Sequence, residues 1–322
     1  MAETGCATPV VRVLQVLASL RLTVAAILAL ILGLMLVSGR GWPLAATLTL
    51  PALLLWLNLG AALAVFPVFR RSLSLTLFHL ALMLMLPLAL VAGRFHFAGH
   101  FELPEGAAFD PGRLVIDRQG PWYTPGLSAL NLTLDSISAS YAEGLRPQHI
   151  RARVRLNGDG KVIAEGRPLH WQGYRLYVTK NVGFSVNLDY LASNGSRHNL
   201  SVNFPWFLGN ELAQAQELTL GGDRLWLKLD GLEAVFDDSL AVSPLRLPAR
   251  PKLVVRRQET RRVLSLGQKA GLGQGTLVFR GVHFWQGFKV QHDPSRHWML
   301  ALVLLMLGSL SCFLVRRHVL RR

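Results

Sequence analysis

The sequence predicts a multi-pass α-helical membrane protein with four spans and a large β-rich, antiparallel sandwich-like extracytoplasmic domain. Three observations carry this reading. Four apolar runs are long enough to cross a bilayer, basic residues gather at their ends, and the stretch between the third and fourth runs changes to short alternating segments separated by turn residues. Apolar residues make up 51% of the 322 residues and charged residues only 16%, and the apolar excess lies in residues 13–93 and 298–315.

The first run holds sixteen uncharged residues, Leu22 to Val37, and Val13–Leu20 extends it on the N-terminal side. A helix needs about 20 apolar residues to cross a ~30 Å hydrocarbon layer. Arg21 interrupts the extension, but a long basic side chain near a helix end can reach the headgroups. The run is too long for a secretory signal and lacks its small-residue cleavage site, so a retained span over about 13–37 is expected. Further spans are expected over 43–69 and 73–92, with the last from Trp298 to Val315. Within lipid such runs must be helical, because isolated strands leave backbone groups unpaired.

Orientation follows from the short connections. Arg70 and Arg71 separate the second and third spans, and Arg316, Arg317, Arg321 and Arg322 follow the fourth. The positive-inside rule assigns both clusters, and both termini, to the cytoplasm. The expected organisation is a three-span region over 1–93, an extracytoplasmic β-rich domain over 94–297, and a last span with a basic tail over 298–322.

In the central domain Arg151–Leu156 alternates at period two, Asn157–Gly160 is rich in turn residues, and Lys161–Ala164 follows, which together form a hairpin signature. Tyr174–Thr179, Phe184–Leu191, Arg224–Leu229 and Thr276–Phe279 also read as strands, and one short helix is expected over Asn210–Glu217. Two halves of the domain are expected to pair across a long connection. The segments His170-Trp-Gln-Gly-Tyr174 and Phe284-Trp-Gln-Gly-Phe288 echo each other weakly, each read as ending a turn and opening a strand with its aromatics in the core.

Composition excludes several classes. The formal charge of +15 divides between span-flanking arginines and residues 94–296, which hold 25 Lys and Arg against 18 Asp and Glu. Charge placed this way fits topology signals and a mildly basic domain, and no aromatic-basic motif accompanies it, so nucleic acid is not an expected partner. Cys6 and Cys312 are the only cysteines, which excludes a disulfide framework, a Cys-x-x-Cys reductase and covalently attached haem. Pro244–Gln268, with Arg256, Arg257, Arg261 and Arg262, reads as a solvated loop or strand face, or as a dock for anionic lipid or an acidic partner. Asp237-Asp238 reads as a surface turn.

His79, in Leu77-Phe-His-Leu-Ala-Leu82, is the residue that stands apart. A titratable side chain at membrane depth costs a few kcal/mol unless it finds a partner or ligand. Two readings are open from the residues: a helix–helix hydrogen bond, or a metal or haem ligand. His292 and His297 bracket the start of the last span and read as interfacial surface residues.

The order of several motifs resembles the ResB-like (CcsB) family of system II cytochrome c maturation. They are Leu17-Ala-Ser-Leu-Arg-Leu22, Asn58-Leu59, Phe78-His-Leu-Ala-Leu82, Gly93-Arg-Phe95, Gly166-Arg-Pro-Leu-His170 running into Gly173-Tyr-Arg-Leu-Tyr177, Gly287-Phe-Lys-Val-Gln291 and Asp293-Pro294. The family's Asp-Pro-Gly is Asp293-Pro294-Ser295 here, and the soluble domain is compact, as in a short form. The resemblance implies a bacterial inner-membrane subunit that works with a CcsA-type multi-span partner carrying the tryptophan-rich haem-handling motif, which this chain lacks. Together they would move haem b across the membrane and attach it to apocytochrome c, as parts of a cytochrome c synthetase (haem lyase) complex in which this chain is not a catalyst by itself. His79 matches the family's intramembrane histidine and would be an axial ligand to haem in transit. The competing expectation is a membrane-anchored scaffold or sensor with a protein-binding β domain and no haem role; a transporter is the weakest reading, since one intramembrane ionisable residue offers little for coupling.

Overall fold

The computed structural model describes residues 9–40, 42–124, 126–143, 146–205, 215–237, 239–273 and 275–318. The chain divides into two compact units, one gathering the residues up to His96 with Gly120–Trp122 and those from Asp293 onward, the other comprising Phe97–Gln119 and Tyr123–His292.

The first unit holds α1 (Pro9–Leu17), α2 (Leu20–Arg40), α3 (Leu44–Val65), α4 (Pro67–Arg71), α5 (Leu73–Phe95) and α6 (Arg296–His318). Four segments, Leu20–Arg40, Thr47–Val65, Leu73–Phe95 and Arg296–His318, are long and apolar enough to cross a membrane, with mean hydropathies of 1.9 to 2.5. At 19 to 23 residues they measure about 28 to 35 Å, against a hydrocarbon layer of about 30 Å. Within the unit α2 packs on α3, α3 on α5 and α5 on α6.

Two of the expected spans are shorter than the apolar runs that announce them. The run over 13–37 is two helices, broken at Ala18-Ser19, and the run over 43–69 stops at Val65. The second break follows from Pro67, whose ring disfavours helical backbone at the preceding residue; Phe66 is extended, at φ −82° and ψ 119°.

The first break is repaired by a side chain from another helix. Ser19 caps α2 by accepting from the Leu22 amide at 3.3 Å. Asn58, 3% exposed on α3, donates from Nδ2 to the Leu17 carbonyl at 2.5 Å and the Ser19 carbonyl at 3.1 Å, while its Oδ1 accepts from Thr23 Oγ1 at 2.7 Å. Without water to solvate them, carbonyls freed at a helix break need such a donor. The Ser19 carbonyl also accepts from the Leu22 and Thr23 amides, so replacing Asn58 by leucine is expected to lower stability by about 1–3 kcal/mol through the unpaired Leu17 carbonyl. Thermal unfolding of the detergent-solubilised protein would test this, and an unchanged midpoint would contradict it.

The end of α5 is tied to residues 120–122. The Gly120 amide donates to His96 O at 2.8 Å and the Trp122 amide to Arg94 O at 2.9 Å. The Trp122 ring lies 5.5 Å from Phe95 and under the Arg94 guanidinium at 5.1 Å. Gly120 must be glycine, because a Cβ there would lie 2.2 Å from the Arg94 carbonyl oxygen. At the start of α6, Asp293 Oδ1 accepts from the Ser295 amide at 3.0 Å and its hydroxyl at 2.6 Å, so Ser295 closes its own turn.

The second unit contains β1 (Phe97–Pro104), β2 (Val115–Gln119), β3 (Leu132–Ala142), β4 (Arg146–Leu156) and β5 (Asp159–Ala164). The chain continues through β6 (Leu169–Trp171), β7 (Tyr174–Ala192), β8 (Arg197–Pro205), β9 (Ala215–Leu220) and β10 (Asp223–Asp230). It finishes with β11 (Val242–Pro244), β12 (Lys252–Arg257), β13 (Thr260–Ser265), β14 (Lys269–Leu272) and β15 (Gly275–His292). The sheets are seven-stranded β2-β1-β15-β7-β6, with β14 beside β15 and β8 beside β7, and two four-stranded sheets, β13-β12-β10-β9 and β11-β3-β4-β5. The antiparallel, sheet-rich class expected from the pattern is the one observed.

The long antiparallel pair β7–β15, running from Ala192↔Gly275 to Tyr174↔His292, serves two cores. Phe184, Val186, Leu188, Leu277 and Phe279 pack with Leu225, Leu227, Leu253 and Val255 of β10 and β12. Tyr174, Leu176, Phe288 and Val290 pack with Leu132, Leu134, Ala152, Val154 and Ile163 of β3, β4 and β5. Tyr174–Thr179 and Phe184–Leu191, read as separate strands, are one continuous strand that bends at a bulge opposite Gln286–Phe288.

The two Trp-Gln-Gly segments take different roles. Gln172 and Gly173, at φ 45° and 83°, form the turn between β6 and β7 as expected. Trp285-Gln286-Gly287 instead lies inside β15 at the bulge, which corrects the expected turn. Buried Gln286 holds the bulge by donating to Thr179 O at 2.9 Å and Gly287 O at 2.8 Å. The hairpin over 151–164 turns on Asn157-Gly158 alone, both left-handed, with Asp159 and Gly160 already in β5. The short helix expected over Asn210–Glu217 falls mainly outside the described residues, and its last three positions, Ala215–Glu217, are strand β9. That strand is fixed by pairing with β10, which a local helical pattern does not register.

Three strands are clamped by Asp189, whose carboxylate accepts from Arg197 at 2.6 Å and from Arg280. Arg280, then Arg197, holds this carboxyl below its ordinary value. A carboxyl depressed in the folded state stabilises the fold above the unfolded value near about 3.9 and loses that contribution as pH falls through the folded value. Unfolding midpoints are therefore expected to drop below about pH 4, with a shallower drop in Asp189→Asn. Parallel pH profiles for the two proteins would remove Asp189 as the cause.

Candidate functional site

His79 sits just beyond the first turn of α5, where the chain has doubled back from α4. Ser72 begins that helix by accepting from the Leu75 amide at 3.4 Å. Thr76 Oγ1 donates to Phe69 O and lies 3.1 Å from Ser72 O, which pins α4 against the start of α5. Arg70 donates to Ala64 O at 3.1 Å across the same bend. The pinning brings the Phe69 ring to 4.7 Å from the imidazole, edge-on, and the Phe78 ring lies at 5.0 Å, also edge-on.

The imidazole is half-buried, with Nδ1 2.8 Å from the Leu75 carbonyl oxygen. A carbonyl oxygen can only accept, so the bond requires the proton on Nδ1. That leaves the Nε2 lone pair free, and Nε2 has no hydrogen-bond partner among the described residues. A neutral imidazole oriented by Nδ1–H to a backbone carbonyl is the arrangement that metal-ligating histidines use. The helix–helix hydrogen bond, the other reading of this residue, does not occur among the described residues: the only bond of the imidazole is to its own helix.

The site is one-sided. No group of three or more His, Cys, Asp or Glu side chains converges among the described residues. The chain therefore offers a single nitrogen in aromatic and apolar surroundings, which suits one axial position of a haem iron better than a closed metal cage.

The other sequence candidates are dispersed. His297 is exposed at the start of α6, as expected. His292 is half-buried rather than exposed: it packs against Tyr174 at 4.9 Å and Tyr123 at 5.7 Å, with Nδ1 buried and unpartnered among the described residues. Its position at the end of β15, opposite Tyr174, draws it into an aromatic cluster that sequence distance conceals. In the same cluster Tyr123 and Tyr174 share a hydroxyl bond of 2.5 Å, and burial with that bond pushes the Tyr123 phenol up. Asp237 closes a turn by accepting from the Ser239 amide and hydroxyl at 3.2 and 2.6 Å, while Asp238 lies outside the described residues.

The four clustered arginines part company. Arg257 pairs with Asp223 at 2.9 Å, whereas Arg256 and Arg261 stand directly opposite each other on β12 and β13. The residue that the apolar pattern left without a role is Asn58, a lone amide inside a membrane run, and that isolation was its signal.

The ResB-like family model matches residues 69–220, from the last turn of α4 to the end of β9. No curated protein matches. Among solved structures, Cytochrome c Heme Lyase CcmF aligns with 93% of this chain at 15% identity and a TM-score of 0.26. The chain spans 38% of the length of that structure.

Proposed function

From the ResB-like region over residues 69–220, we propose that this chain is the ResB/CcsB-type subunit of a system II cytochrome c biogenesis complex. It handles haem b as cargo rather than as a resident cofactor. The observation that carries the reading is the His79 imidazole, proton-bearing on Nδ1 and open at Nε2, inside an apolar helix. In this reading Nε2 takes one axial position of the haem iron, and the opposite ligand comes from a CcsA-type partner with its own histidines. The aromatic rings of Phe69 and Phe78 pack edge-on against the imidazole and give it apolar surroundings.

Arginine placement supports the orientation. Arg70 and Arg71 close α4, and Arg316 and Arg317 close α6, so the positive-inside rule assigns both ends to the cytoplasm. The protein then lies in the inner membrane, with the sheet unit extracytoplasmic, where it meets apocytochrome c. His79, eight residues after Arg71, lies toward the cytoplasmic side, where haem enters.

The test is the visible spectrum of this chain purified together with its CcsA-type partner, alongside a cytochrome c maturation assay in cells lacking the gene. A Soret band in the complex and loss of holocytochrome in the deletion are expected. Purified complex without haem, with normal maturation, would leave a membrane-anchored scaffold as the better reading.

A further inference from the structure

The outward face of the sheet β11-β3-β4-β5 is built differently from an ordinary solvated surface. Along β4 the inward residues Ile150, Ala152 and Val154 are buried, which turns His149, Arg151, Arg153 and Arg155 outward on one strand. Their neighbours across the ladder are small or neutral: Ser138 and Ala164 beside Arg151, Ser136 and Val162 beside Arg153, Thr133 and Gly160 beside Arg155. Solvated faces ordinarily intersperse both signs of charge. Among the described residues one acid forms an ion pair with the row, Asp135, which takes Arg155 at 2.7 Å. Arg151 and Arg153 have no carboxylate partner among the described residues, and like charges so close along a strand repel.

An open hollow of about 560 Å³ adjoins them, lined by His149, Arg151, Val162, Ala164, Glu165 and Arg167. Val162 is 59% exposed in its floor, so the site offers an apolar pad beside the guanidinium groups. Outward residues of one strand repeat every ~6.6–6.8 Å, which is also the spacing of alternate side chains in any extended chain laid along it. Each guanidinium presents a fork that fits one carboxylate with two parallel hydrogen bonds.

We propose that this face docks an extended acidic segment of a partner polypeptide, with Asp or Glu at alternate positions answering Arg151 and Arg153. The small walls formed by Ser136, Ser138, Gly160 and Ala164 leave room for the backbone of that segment. A lipid surface fits less well, because it needs a uniformly cationic stripe, and Glu165 and the Asp135–Arg155 pair interrupt this one. The inference is independent of haem at His79.

The experiment uses the full chain in detergent and a fluorescein-labelled octapeptide of alternating Glu and Thr as the probe, read by fluorescence anisotropy. Wild type is expected to bind it in a salt-sensitive manner, and Arg151→Gln/Arg153→Gln to weaken binding at least about tenfold. Both positions are exposed, so the double variant keeps its fold, checked by an unchanged unfolding midpoint. His79→Ala is expected to bind the peptide as wild type does. Equal affinity in wild type and the arginine double variant would overturn the proposal. So would phosphatidylglycerol vesicles binding with the same two-arginine dependence while the peptide does not.

Discussion

His79→Ala is expected to abolish, or reduce more than about tenfold, the haem retained by the proposed complex of this chain with a CcsA-type partner. The magnitude follows from position: losing even an outer partner of a ligating histidine costs about 10- to 100-fold in affinity, and this substitution removes the proposed ligand itself. The fold should survive, because among the described residues the imidazole bonds only to Leu75 of its own helix, and alanine is the strongest helix former. Added imidazole, small enough to enter the space left by the side chain, is expected to restore part of the Soret band. The comparison separates ligand loss from misfolding, since a misassembled complex would not respond to imidazole. An unchanged Soret band in His79→Ala would remove the residue from haem ligation and leave the family likeness without its chemical centre.

Trp285→Ala is expected to be the most damaging single truncation in the sheet unit, at about 3–5 kcal/mol. The indole is 1% exposed, and its Nε1 donates to Phe204 O of β8 at 3.1 Å. Its ladder partner on β7 is Gly183, which puts no side chain beside the indole. Truncation would therefore open a void on both sides of the pair, and would free the Phe204 carbonyl from its bond. Trp285→Phe keeps most of the volume and forfeits the N–H bond, so about 1 kcal/mol is expected from that variant. Chemical unfolding in detergent followed by far-ultraviolet circular dichroism measures both. If the alanine variant lost less than the phenylalanine variant, cavity formation would not be the cause.

Much of this architecture is legible locally, because its signals have short periods. Four apolar runs mark the spans, since lipid forces any such run into a helix that satisfies its own backbone. The arginines at their ends carry the expected topology. Period-two alternation with Asn157-Gly158 marks the hairpin, since that pair takes the left-handed turn at little cost. His79 is conspicuous because a titratable group is rare at that depth.

The remainder is set by partners distant in sequence. Leu17 O loses its helical partner at a break that hydropathy does not register, and an amide from Asn58, about 40 positions later, satisfies it. Only register assigns Arg257 to Asp223 while setting Arg256 against Arg261. The same physics places Trp285-Gln286-Gly287 in the middle of a strand, because pairing with β7 across about a hundred residues outweighs a local turn preference. Sequence alone thus determined the spans, the class of the central domain and the one histidine that needs a ligand or partner. The helix itself leaves Nε2 of that histidine open, by placing the Leu75 carbonyl one turn back beside Nδ1, whereas tertiary structure decided which arginines remain unpaired, by the register of the strands that carry them.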